Sequence, residues 1–356
     1  VTAELMESFT RVFAESMSNS FYPVPEGAIG VGSAFEGWSS SERDVVYRVL
    51  VPLNPPLGHA FHLEQESAGQ MSARTFSVRV ELVCTCWREQ LGKKLLCFVH
   101  NSEEELEQKQ EPSLLETLCT SCYLDVEKTS SWFSEMVRSS WLHLPQSQSW
   151  HLVFEPCSRS CRFRLSKGQK RLTVEMLFGV CRGDSDIFVV SQPPEAQKGI
   201  SVSSQPTKAD FMSSTAWPET FAVAEAKFFR HITRQVPCKS LHLKCLQVFT
   251  CILRGAGFSI STWKTVVMHV LTTVPLSRWR RRQFERRLWD VMAYLRRCLQ
   301  SKRLEHFVLG NKSLPAEISV PLEMRGVEPL NLFEHLARDP AAHAEAMRAY
   351  GHLRLR

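Results

Sequence analysis

The hydrophobic period of this chain changes once, near Trp217, and that change limits what it can fold into. Before it, apolar and polar residues alternate over short runs, most cleanly in Thr75-Phe76-Ser77-Val78-Arg79-Val80-Glu81-Leu82-Val83. Side chains on a strand point alternately to opposite faces, so a period of two marks a half-buried β-strand. After it, apolar residues recur every three to four positions, as in Phe221, Ala224, Phe228 and Ile232, or Trp263, Val266, Val267, Val270 and Leu271. That spacing gathers them on one face of a helix. A Ser- and Pro-rich link from Gln192 to Ser214 divides the two patterns. The expected fold class is α+β: a mixed sheet with flanking helices over 1–214, followed by an all-helical domain over 215–356.

Within the first part the spacing predicts an amphipathic helix over Thr2–Met17 and another over Ser130–Leu142. Strands are expected over Asp44–Val51, over Thr75–Val83 paired with Lys94–Val99, and as four runs between Trp150 and Ser191. Asn101–Pro112, mostly Glu, Gln and Lys, reads as a solvated loop. In the second part the longest helix is expected over Ser277–Lys302, with two short ones around Leu330–Ala337 and Ala341–His352.

At 356 residues, with 44% apolar and 22% charged residues, the chain has material for a substantial core and is not a disordered polymer. The formal charge is +6, yet ten basic residues and two acids between Arg278 and Arg303 carry a local net of +8. Basic character confined to one helix argues against a general nucleic-acid coat and leaves room for a local anionic partner, a lipid headgroup surface or an acidic protein segment. Twelve cysteines are too few for a disulfide scaffold. Cys84, Cys86, Cys97, Cys245, Cys251 and Cys298 fall inside expected strands or helices and read as reduced core residues. Cys119 with Cys122, and Cys157 with Cys161, match no strong zinc spacing, so no zinc is expected. No apolar run reaches membrane-spanning length.

The stretch with most chemistry is Val31-Gly32-Ser33-Ala34-Phe35-Glu36-Gly37-Trp38, followed by Glu42 and Asp44 at the start of an expected strand. Two residues apart on a strand, these carboxylates face the same side. Beside a Gly-Ser turn they suit a divalent cation and a phosphate, because hard cations want several oxygens and glycine frees backbone amides to meet an anion. Glu175 is the lone charge in Leu172-Thr173-Val174-Glu175-Met176-Leu177-Phe178. An interior charge is costly unless it is paired or bound to metal. Taken singly, each acid also reads as a paired or exposed group.

Gly32-Ser33, Glu42-x-Asp44 opening a strand, one acid in a later strand and then helices resemble the nucleotidyltransferase fold of the cyclic GMP-AMP synthase and male-abnormal-twenty-one superfamily. Val31 to Trp38, Val51-Pro52-Leu53 with Pro55-Pro56, Leu177-Phe178-Gly179-Val180, Leu243-Lys244-Cys245-Leu246 and Leu304-Glu305-His306-Phe307 are similar to its inositol trisphosphate receptor-interacting protein branch. The resemblance implies magnesium on Glu42, Asp44 and Glu175, which would be the catalytic acids of an active enzyme. It implies nucleotide contacts at Gly32, Ser33 and Lys264.

Several positions depart from the active pattern. Glu175 replaces the usual aspartate, Pro218 stands where the synthase-like enzymes carry a base-reading arginine, and Thr250 stands in place of a triphosphate-binding lysine. Ser261 replaces a stacking aromatic ring, and His231, Cys238, His242 and Cys245 do not match the zinc insertion. The leading expectation is therefore a regulatory interaction protein on a nucleotidyltransferase scaffold that has lost its activity. Resemblance further implies a single-pass anchor upstream of Val1, a domain on the cytoplasmic side and a membrane partner such as the inositol trisphosphate receptor. Two rivals are a live magnesium-dependent nucleotidyltransferase and a sensor that binds a nucleotide or inositol phosphate without turnover.

Overall fold

A computed structural model describes residues 2–17, 20–39, 45–65, 74–89, 95–192, 212–236, 241–251 and 257–354. Helix α1 (Thr2–Met17) buries Leu5, Met6, Phe9 and Phe13 on one face, as its spacing predicts. Two short strands, β1 (Val24–Pro25) and β2 (Ile29–Val31), lead into a single turn of helix, α2 (Ser33–Glu36). Next come β3 (Val46–Asn54), β4 (His59–Gln65) and β5 (Thr75–Leu82), then the short helices α3 (Cys86–Glu89), α4 (Glu103–Lys109) and α5 (Leu114–Leu118). A small hairpin, β6 (Cys119–Thr120) and β7 (Tyr123–Leu124), precedes α6 (Val126–Trp141). The sheet is completed by β8 (His151–Glu155), β9 (Cys161–Lys167), β10 (Lys170–Cys181), β11 (Phe188–Val190) and β12 (Trp217–Thr220).

The long strand β10 is the axis of the sheet. It runs parallel to β3, with Glu175 opposite Arg48 and Phe178 opposite Val51. Its other edge is shared, antiparallel, by β9 along the first half and by β11 at the end. A side chain at Gly179 would place its Cβ 2.6 Å from the Val189 carbonyl oxygen, so β11 can lie this close only against glycine. The order then continues through β12, β5, β7 and β6.

The helical part comprises α7 (Ala222–Gln235), α8 (His242–Cys251), α9 (Ile260–Thr273), α10 (Phe284–Ser301), α11 (Glu334–Arg338) and α12 (Pro340–Arg354). Its core includes Phe228, Trp263, Val267, Leu295 and Phe307 and takes in Trp38 and Ile187 from the sheet side. A second core packs α1 and α6 on the sheet around Phe133, Phe163 and Phe178. Among the described residues no helix is long and apolar enough to cross a membrane.

Five expectations differ from what is observed. Strand β5 pairs with β4, and of the expected Lys94–Val99 strand the described residues do not pair with it: 95–97 have no regular structure and 98–100 form a turn. The alternation in His59-Ala60-Phe61-His62-Leu63-Glu64-Gln65 is masked by two histidines on a mostly half-exposed strand. The expected loop over Asn101–Pro112 contains α4, capped by Ser102, whose hydroxyl accepts from the Glu105 amide. Three glutamates in its first turn favour the helix N-terminus, although none of its residues is buried. Helix α6 starts earlier than Ser130 because the Asp125 carboxylate accepts from the Glu127 and Lys128 amides.

The switch to helices falls after Thr220, since Trp217–Thr220 is a strand. Trp217 is fully buried and its indole donates to the Leu124 carbonyl at 2.9 Å. Finally, the Arg-rich segment is not one helix. Trp279 turns into the core between two 3-10 turns, 276–278 and 281–283, and α10 begins only at Phe284.

Candidate functional site

The Gly32–Trp38 segment is built by its backbone. Gly32 has φ 77° and ψ −176°, a region that L side chains scarcely enter. Its carbonyl accepts from the amides of Phe35 (3.1 Å) and Glu36 (2.9 Å), and that of Ser33 from Gly37 and Trp38 (both 3.0 Å). This tight turn carries Glu36 and Trp38 inward, where both are buried. The Trp38 indole donates to Glu36 Oε2 at 2.6 Å. From α9, Lys264 Nζ donates to Glu36 Oε1 at 2.8 Å and to Glu225 Oε2 of α7 at 2.5 Å.

One ammonium thus ties the turn after β2 to two helices of the helical part. Burial would lower the pKa of Lys264, but the Glu225 and Glu36 carboxylates outweigh it and hold the pKa above its ordinary value. Burial raises that of Glu36 despite the opposing pull of Lys264. Lys264, expected at a nucleotide, has its ammonium between two carboxylates of its own chain. Sequence reading assigned no role to Glu36 or Glu225. The available signal was a lone acid in an apolar neighbourhood, the same signal that drew attention to Glu175.

Glu175 is 3% exposed. Its Oε2 accepts from Arg48 Nε at 2.8 Å, directly across the β3–β10 ladder, and its Oε1 accepts from the Ser160 hydroxyl at 3.2 Å. The costly interior charge is therefore met by a guanidinium of the neighbouring strand. Glu42 and Asp44 lie outside the described residues. Ser33 opens α2, Pro218 lies within β12, and Ser261 stands in the first turn of α9. Thr250 on α8 donates its hydroxyl to the Leu246 carbonyl at 2.9 Å. A groove of about 570 Å³ runs between α1 and the segment preceding β2, lined by Met6, Thr10, Gly30, Phe35 and Val49; neither Glu175 nor Lys264 lines it.

Cysteines fall into two groups. Cys97, Cys245 and Cys298 are buried, as expected of core thiols, whereas Cys84 is exposed and Cys86 half-buried. Both lie beyond the end of β5, so the reading that placed them in an interior is corrected. The Cys119–Cys122 stretch forms the β6–β7 turn, with Ser121 and Cys122 at φ 50° and 64°. The Cys251 side chain and Cys238 lie outside the described residues. The ligating atoms of Cys84, Cys86, Cys97 and His100 lie within 4.8 Å of one another, and theirs is the group among the described residues that could hold a metal ion.

A nucleotidyltransferase-like mixed sheet is thus joined to a helical domain through a buried ammonium and two carboxylates. The helical domain defines the class: residues 238–319 match the Mab-21 protein HhH/H2TH-like domain. Over nearly its whole length the chain is similar to inositol 1,4,5-trisphosphate receptor-interacting protein-like proteins, in keeping with its Mab-21 domain. It is 34% identical over 367 residues to inositol 1,4,5-trisphosphate receptor-interacting protein-like 1 of Rattus norvegicus, a match spanning 99% of this chain and 64% of that protein. The Mus musculus counterpart matches to the same extent. Inositol 1,4,5-trisphosphate receptor-interacting protein of Homo sapiens is 28% identical over 333 residues, 86% of this chain and 58% of that protein. The chain spans somewhat under two thirds of the length of these relatives.

Proposed function

We propose that this chain is an interaction module of a membrane-associated regulator, built on a nucleotidyltransferase scaffold that does not turn over nucleotide. One observation carries the reading: the Glu175 carboxylate, which the resemblance would give to magnesium, is already bonded to Arg48 and Ser160. A magnesium ion there would have to displace the part-buried Arg48 guanidinium, a cation that cannot share its octahedral oxygen shell. The names of the relatives point to an inositol 1,4,5-trisphosphate receptor as their partner, and that receptor is the partner we propose for this chain.

Calorimetry with magnesium, ATP and GTP, followed by chromatography of the mixture, tests the reading. No heat and no product are expected. Heat without product would replace it by a nucleotide sensor, and a dinucleotide product would overturn it in favour of an enzyme. The same titration with inositol phosphates asks whether the scaffold reads that class of ligand instead.

The basic helix supports the membrane part of the proposal. Arg286, Trp289, Arg296 and Arg297 share one exposed face of α10, while Arg287 is buried and paired with Asp290 at 2.6 Å. An exposed indole flanked by arginines suits the boundary between anionic headgroups and acyl chains. Each basic residue near such a surface adds about 1 kcal/mol. Replacing Arg286, Arg296 and Arg297 together by glutamate is therefore expected to weaken binding to phosphatidylserine vesicles about 100-fold or more, read by co-sedimentation at low salt. Unchanged sedimentation would remove lipid as the partner of this face.

A further inference from the structure

The Cys84, Cys86, Cys97 and His100 cluster has a geometry that hydrogen bonding does not explain. Three sulfurs surround one ring nitrogen: Cys86 Sγ lies 3.1 Å, Cys84 Sγ 3.5 Å and Cys97 Sγ 3.7 Å from His100 Nδ1. That nitrogen can donate at most one proton, so it cannot satisfy three thiols. Four lone-pair donors within 4.8 Å of one another are what a shared cation requires. In a tetrahedral zinc site with bonds of about 2.3 Å to sulfur and about 2.0–2.1 Å to nitrogen, the sulfur-to-nitrogen edges come to roughly 3.6 Å. The three observed separations bracket that value.

We propose that Cys84, Cys86, Cys97 and His100 are the four ligands of a structural zinc ion. Three thiolates and an imidazole are a soft set that selects zinc over the hard cations magnesium and calcium. Four protein ligands leave no open position for substrate, so the ion serves architecture rather than catalysis. The ligands come as two short pairs, Cys84-x-Cys86 after β5 and Cys97-x-x-His100 before α4, with ten residues between them.

The frame around the cluster is already organised. The Thr85 amide donates to Cys97 Sγ at 3.3 Å, the kind of contact that steadies a thiolate ligand. The Asn101 side chain and amide both donate to the Cys97 carbonyl, at 3.0 and 3.2 Å. Phe98 wedges between Phe21 and His59, with ring centroids 4.7 and 5.3 Å away. Zinc would lock the end of β5 to this turn; the turn cannot pair with β5 as a strand because both edges of β5 are taken, one by β4 and the other by β12 and β7. Spacing drew attention to Cys119 with Cys122 and to Cys157 with Cys161; the cluster instead unites three cysteines read as interior with His100, to which the spacing assigned no role.

Elemental analysis of the chain purified without added chelator tests this directly. About one zinc per chain is expected, falling below about a tenth in Cys86→Ser and in His100→Ala but unchanged in Cys122→Ser, whose thiol lies outside the cluster. A ligand variant that failed to fold would also lose metal. The unaltered protein is therefore exchanged with cobalt, which should give thiolate charge-transfer and visible bands of a tetrahedral sulfur-rich site. Metal-free protein with four free ligands, a disulfide among these cysteines by mass spectrometry, or a cobalt spectrum lacking thiolate bands would each overturn the proposal.

Discussion

Replacing Lys264 with methionine is expected to cost about 3–5 kcal/mol of folding stability, the scale on which breaking one partner out of a buried ion pair is felt. The substitution keeps the length and apolar stem of the side chain but leaves Glu36 and Glu225 facing each other without a cation. The cost should depend on pH in a defined direction. Burial, together with Glu225, already raises the pKa of Glu36, and Lys264 is what opposes that rise. Without Lys264 the folded-state pKa moves further above the unfolded one. Stability of that kind is fully present below the unfolded pKa and lost as pH rises through the folded pKa. Urea denaturation should therefore find the variant's deficit smallest near pH 4.5 and larger at pH 7. Adding Glu225→Gln should return part of the loss. A deficit under about 1 kcal/mol, or one that does not change between these pH values, would mean that the cluster does not tie the turn after β2 to α7 and α9.

The second large effect is expected at the Arg48–Glu175 pair. Arg48→Met strands a carboxylate that is only 4% exposed and should cost about 3–5 kcal/mol. Glu175→Leu should cost less, because the Arg48 side chain retains 17% exposure and water can reach it. The double variant, with two apolar groups where two charges stood, should recover to within about 1 kcal/mol of the parent. Chemical denaturation of the four proteins closes the cycle. Strict additivity of the two single losses would show that the carboxylate is held for another purpose. A metal-ligand role would then regain ground if magnesium stabilised the parent but not Glu175→Leu.

Local sequence carried much of the architecture. Helix α1 matches its spacing at both ends, and the strands around Cys161 and Leu172 lie where alternation put them, because both periods are set by residues a few positions apart. Partners were harder to read. Strand β5 pairs with β4 instead of residues 95–99 because distant strands β12 and β7 take its other edge, a competition that local alternation does not show. Capping moved boundaries in the same way: Asp125 starts α6 early, and burial of Trp279 delays α10 to Phe284.

Of the candidate site, the sequence alone determined that Glu175 is the lone charge in an apolar strand, that Gly32 stands at a turn, and that the helices after Thr220 carry a basic face. These follow from residue type and local period. Only the tertiary structure decided what neutralises the interior charges, bringing Arg48 to Glu175 and Lys264 to Glu36 and Glu225 across long stretches of chain. It alone gathered Cys84, Cys86, Cys97 and His100 around one point. The physical reason is common to both: a charge or a metal ligand is satisfied by whatever the fold brings within about 3–4 Å, and that distance is set by packing, not by spacing in sequence.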